Sequence, residues 1–150
     1  MSTPIAPTQS GFLAFVRNEM GITTTQLPDN SPAITVAYGV ALDVVSDWLV
    51  GLGVYPYMLA VYNFAGDRLI NYAPDQPGQT FFADVRKAYG LNSFVAGVIQ
   101  SSGDEGTNES MLVPEFAKGL TLMDLQNLKT PYGRTYLQLA QSTGTLWGLT

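Results

Sequence analysis

The chain contains neither cysteine nor histidine. The first absence excludes disulfides, thiolate nucleophiles and thiolate–zinc sites. The second removes the commonest general base and metal ligand. Ser–His–Asp and Cys–His arrangements are therefore impossible. There is no G-x-S-x-G elbow and no Gly-Lys-Ser/Thr phosphate loop, and Gly51-x-Gly53 lacks the third glycine and the preceding strand of a dinucleotide site. Charge is scarce as well. Charged residues make up 13% of the 150 residues, against roughly 25% for an ordinary soluble chain. No charge falls between Asp47 and Asp67. The net charge of −5 is spread along the chain with no basic stripe, which argues against nonspecific binding to a nucleic-acid backbone as its main job, and no specific nucleic-acid binding is expected. An acidic wall of this kind would let DNA slide past. Residues 1–7 carry neither a basic n-region nor an apolar h-region, so they do not read as a secretory signal.

What stands in place of charge is Thr, Ser, Asn, Gln, Gly and Tyr, a composition typical of surfaces that meet other protein. Residues 1–9 read as a flexible leader. Ser10 is placed to cap a helix to about Met20, with Phe12, Phe15, Val16 and Glu19 at helical spacing and Gly21 as the stop. Ser31-Pro32 is the clearest helix start in the chain, a capping hydroxyl before a first-turn proline. From there to Val50 one apolar stripe runs through Ile34, Ala37, Tyr38, Ala41, Val45, Trp48 and Leu49. A second runs through Val36, Val40 and Val44 at strict i+4 spacing. After a Gly51–Pro56 break, a third helix is expected over 57–72, and Thr80 is placed to cap a fourth over 81–89. The run 94–99 reads equally as strand or helical turn, and 101–110 as an exposed polar loop. Thr121 with Asp124 resembles a capping box, opening a helix with Leu122, Leu125 and Leu128 on its apolar face. Pro131 interrupts, and 132–141 resumes. The expectation is a mainly α fold: a small bundle of four to six helices over 10–141, a long polar loop, room for a minor β element near 94–115, and a docking tail over 142–150.

Few residues could carry chemistry. Asp43 and Asp47, four apart on one helical face, could hold a hard cation or act as an acid/base pair, but they read far better as the solvated edge of an oily helix. Asp104, Glu105, Asn108 and Glu109 offer oxygen ligands without EF-hand spacing. No catalytic, cofactor-binding or metal-binding residue is therefore expected, and no enzyme activity. The helices over 31–50 and 57–72 are apolar almost all round, and a helix oily on every side must be buried on every side. Neighbouring copies are the natural cover, with Val36, Val40 and Val44 as the subunit face. Tyr136, Leu146, Trp147 and Leu149 are candidate partner-docking residues, Trp147 above all because it sits near the end of the tail. The competing reading places the uncharged window 48–66 in or on a membrane. Its glycines, Pro56 and Asn63, and the lack of flanking Lys/Arg anchors, weigh against that.

The order of these features resembles a known class. A short helix ending Glu19-Met20-Gly21-Ile22 leads through a loop to the long helix opening at Pro32. A tyrosine-rich helix and a polar loop follow, and the chain closes with Leu128-Lys129-Thr130-Pro131-Tyr132-Gly133-Arg134 and Leu146-Trp147-Gly148-Leu149-Thr150. This is similar to the small structural proteins of tailed bacteriophages, in particular the head-to-tail adaptors of the neck. The resemblance implies a helical body forming a ring under the portal, with copies of itself, the portal and tail or neck proteins as partners. It also implies a place in the virion, assembly in the host cytoplasm, no catalytic residues, no cofactor and no membrane. Another tail structural protein is the neighbouring alternative. The chain departs from some adaptors in lacking a longer, more charged C-terminal extension, which leaves open the end that meets the portal.

Overall fold

The computed structural model describes residues 6–92, 102–104, 107–109 and 126–142. It is mainly helical. Helix α1 spans Gln9–Asn18, α2 Pro32–Val44, a 3-10 helix Asp47–Leu52, α3 Val54–Tyr72, α4 Phe81–Ala88 and α5 Pro131–Gln141. Two short strands, β1 (Ser102–Asp104) and β2 (Thr107–Glu109), pair antiparallel with Gly103 opposite Asn108.

Each helix begins where local chemistry satisfies its free amides. Thr8, rather than Ser10, caps α1, its hydroxyl accepting from the Gly11 amide at 3.0 Å. Helix α1 stops in a left-handed turn at Gly21 (φ 68°), where the Ile22 amide reaches back to the Val16 carbonyl at 3.1 Å. The following loop folds around Arg17. Its guanidinium donates to the carbonyls of Ile22 (2.8 Å) and Leu27 (2.6 Å) and to the Asp29 carboxylate (2.5 Å). Ser31 caps α2 with Pro32 in its first turn, as the sequence indicates.

The helix expected to run to Val50 ends instead at Val44. Val45 turns extended, and the Ser46 hydroxyl accepts from the Trp48 amide at 3.3 Å to open the tighter 3-10 segment. Ser46-Asp47 is thus a second start signal inside the apolar run, competing with helix continuation. Gly53 (φ 130°) then lets α3 begin at Val54, three residues earlier than expected, with Pro56 in the first turn where no amide is needed.

Helix α3 is the spine. Residues 60–67 are buried without a break, enclosed by α1, α2 and α5. Its closest neighbours approach through small residues. A Cβ on Gly11 would overlap the Tyr62 hydroxyl, which accepts from the Thr8 amide at 3.1 Å. Phe12 stacks with Tyr38 and Phe15 packs on Tyr62, with centroids 6.1 and 5.9 Å apart. Helix α4 is capped from a distance: the Asp75 carboxylate accepts from the amides of Phe82 (2.7 Å) and Ala83 (3.0 Å), while Thr80, at the cap position, bonds Asp84 instead. Arg86 returns along α4 to close the C-terminus of α3, donating to the carbonyls of Ile70 (2.8 Å) and Ala73. Thr130 caps α5 and Pro131 opens it. The expected capping box at Thr121 and the run 94–99 lie outside the described residues.

Candidate functional site

The first apolar stripe of α2 is spent inside the subunit: Ile34, Ala37, Tyr38, Ala41 and Val45 are buried, and Leu49 beyond the helix end is too. The second is not. Val36 is 55% exposed and Val44, the last residue of α2, is also exposed, while Val40 between them is half-buried against the core. Trp48 does not follow Leu49 inward. Three residues per turn set neighbouring side chains of the 3-10 segment on different faces, and Trp48 stands 77% exposed.

Val44 and Trp48 belong to a larger patch. Of twelve exposed large apolar side chains among the described residues, eight fall within 42–59. They wrap the end of the bundle where α2 hands over to α3: Leu42 and Val44, then Trp48, Val50 and Leu52, then Val54, Tyr55 and Leu59. The largest apolar patch of an ordinary monomer is about 300–600 Å², and patches of that size mark contact surfaces. Eight such side chains fall within eighteen consecutive residues here, and four in the rest of the described chain. Only two charges lie in the window, Asp43 and Asp47, and both are exposed. No Lys or Arg occurs between Arg17 and Arg68. The charges within this apolar window are therefore acidic alone. Asp47 accepts a long hydrogen bond (3.4 Å) from the Tyr57 hydroxyl, and burial, reinforced by that carboxylate, pushes the Tyr57 phenol above its ordinary range.

The end of α2 at Val44 also separates Asp43 from Asp47, so the two do not share a helix face as their spacing suggested. Among the described residues no three acidic side chains gather closely enough to hold a metal ion. Of the loop ligands, Glu105 lies outside the described residues, and only the backbone is described for Asp104, Asn108 and Glu109.

The docking candidates fare differently. Tyr136 sits edge-on to Phe64 within the subunit, centroids 5.0 Å apart, and is half-buried at the margin of the core. Leu146, Trp147 and Leu149 lie outside the described residues.

One feature was not singled out by sequence reasoning. Asp67, in the middle of the spine, is 5% exposed. Its carboxylate accepts from the hydroxyl of Thr130, itself fully buried, and that same hydroxyl accepts from the Gly133 amide at 2.9 Å. Asn71 donates back to the Asp67 carbonyl (2.8 Å) and receives from Gln126 (3.0 Å). Burial raises the Asp67 carboxyl from 3.8 to about 6, against the opposing pull of the Thr130 and Asn71 hydrogen bonds. A Cβ on Gly133 would overlap the Asn127 backbone, so only glycine lets α5 seat this closely. Asn127 Nδ2 is a buried side-chain atom left without a hydrogen-bond partner. The sequence carried a hint: Asn63, Asp67 and Asn71 form a polar i+4 stripe along an otherwise apolar helix. Asp67 adjoins no nucleophile or cation in this network. Its effect is to pin α5 to α3.

No helix of the described residues is long and apolar enough to cross a membrane. The chain matches no protein-family model, no curated protein and no solved structure.

Proposed function

We propose that this protein is a structural subunit that works by assembling with copies of itself, and that the assembly is the ring joining portal and tail in the neck of a tailed bacteriophage. The observation that carries the assembly reading is the apolar cap over 42–59, whose only charges are acidic. Exposed aromatic and aliphatic side chains at this density favour a protein partner. A membrane surface is the poorer match, because interfacial binding draws on Lys and Arg beside the apolar face, and here none is present between Arg17 and Arg68. The Val36–Val40–Val44 line runs along α2 to Val44 in the cap, with Val36 and Val44 exposed to a neighbour. The assignment to the phage neck rests on the resemblance in helix order and chain ending.

Negative-stain imaging of the purified protein, alone and mixed with portal-bearing capsids, tests both parts. Annular particles of uniform diameter, seated at one vertex of the capsid in the mixture, are the expected result. Single small particles under both conditions contradict the proposal. Rings that form but never seat on capsids contradict the neck assignment alone.

A further inference from the structure

The described bases are distributed as unevenly as the apolar side chains. Five of the six, all except Arg17, gather around the C-terminal half of α3. Arg68 lies on α3 itself, with its guanidinium 4.8 Å from the ring centroid of Tyr72. Arg86 and Lys87 come from α4, anchored there by the bonds from Arg86 to Ile70 and Ala73. Lys129 and Arg134 flank Thr130, which is tied to Asp67. Of the acids nearby, Asp67 is buried, Asp75 caps α4 and Asp84 accepts from Thr80 at 2.9 Å, while Glu19, exposed at the end of α1, lies close enough to act on the Tyr132 phenol. Tyr72 and Tyr89 stand exposed among these bases, at 64% and 38%.

The spine therefore separates two unlike ends. Its 19 residues run about 28 Å at 1.5 Å per residue. The window 42–59 is apolar with two exposed carboxylates and no base, while the other end gathers five of the described bases, one exposed acid and two exposed tyrosines. We infer that the cap of one copy docks on the basic, tyrosine-bearing end of the next copy, so that subunits join head to tail. The inference rests on the self-assembly reading above and names the two surfaces that meet. Opposite charge across such a contact sets orientation and register more than raw affinity, while the apolar and aromatic groups supply the attraction. A cap-to-cap pairing would instead confront Asp43 and Asp47 with their own copies around a two-fold axis. A head-to-tail contact has no such conflict, and repeats into a ring when its rotation closes.

Two charge-reversed variants test this: Asp43→Lys/Asp47→Lys at the cap and Lys87→Glu/Arg134→Glu at the other end. All four positions are exposed. Thermal melts verify that each variant folds, and sedimentation velocity at low ionic strength reads association. Each variant alone is expected to self-associate at least about tenfold more weakly than the unaltered chain, because like charges then face each other. An equimolar mixture is expected to regain association, since each basic cap meets an acidic end and each acidic cap a basic one. If Lys87→Glu/Arg134→Glu associates as the unaltered chain does, the basic end is not the receiving surface and the inference falls while self-assembly stands. If the unaltered chain associates neither alone nor with portal-bearing capsids, both fall together.

Discussion

The two halves of α3 invert the usual arrangement in opposite ways. Toward its N-terminus, with the 3-10 segment beside it, the chain holds Trp48, Tyr55 and Leu59 out in water. Toward its C-terminus it draws Asp67 out of water and closes it under Thr130. Exposed oil contributes nothing to the stability of one subunit, and a buried carboxylate detracts from it unless it is bonded. The seam between α3 and α5 is consequently where the fold of the subunit is determined in detail, down to a glycine that admits the neighbouring backbone. The cap is where little is fixed internally and a partner has most to gain.

Substitutions should separate the two regions cleanly. The largest loss of stability is expected at the seam from Gly133→Ala, because its Cβ collides with the Asn127 backbone rather than with a side chain able to move. A cost of about 3 kcal/mol, read by urea unfolding, is anticipated for that overpacking. A mild effect would mean that α5 seats more loosely than described.

Asp67→Asn comes next and acts in the opposite direction. The folded state raises the Asp67 carboxyl from 3.8 to about 6, so the fold favours its protonated form. That contribution is complete below about pH 3.8 and is lost as pH rises through about 6. Asparagine keeps an oxygen for the Thr130 hydroxyl and carries no charge. At pH 8 the variant should be more stable than the unaltered chain by about 3 kcal/mol, the order that a shift of this size implies. Its advantage should vanish near pH 4. Equal pH profiles for the two proteins would show that the carboxylate is not desolvated.

Arg17→Ala removes three hydrogen bonds from the loop between α1 and α2, yet its partner Asp29 is 62% exposed. A loss of roughly 1–2 kcal/mol in thermal unfolding is expected, mostly from the two carbonyls left unbonded. Least of all should Trp48→Ser disturb the fold, within about 0.5 kcal/mol, as for surface positions generally. Val40→Asp is a poorer probe of the same surface, because Val40 is half-buried against the subunit's own core. It would perturb folding and assembly together.

What was legible from the sequence was local. Ser31-Pro32 announces α2 because both signals sit at the helix start, and Gly21 marks a stop that takes positive φ in the structure. The i+4 valine line of α2 was visible, as was the stripe that fills the core. The break at Val45 was harder to see, since Ser46 caps in competition with an apolar pattern that continues past it. Thr8 displaced Ser10 because hydroxyls two apart both suit a cap, and Ser10 ended inside the helix, 3.3 Å from the Thr8 oxygen. The cap of α4 comes from Asp75, outside the reach of any rule about adjacent residues. Asp67 and Thr130 stand 63 positions apart, and nothing in a single chain pairs them. The apolar cap was half legible: the uncharged window was plain, but the turning of Trp48 outward and Leu49 inward follows from the 3-10 geometry.

Covering of the cap by a second copy is what most distinguishes an assembling subunit from a free globule. Sedimentation equilibrium of the unaltered chain beside Trp48→Ser, over a wide concentration range, addresses this directly. The unaltered chain should self-associate with rising concentration, and Trp48→Ser should remain monomeric while melting at the same temperature. An unaltered chain that stays monomeric at the highest concentration reached, or a Trp48→Ser variant that associates equally well, would contradict it.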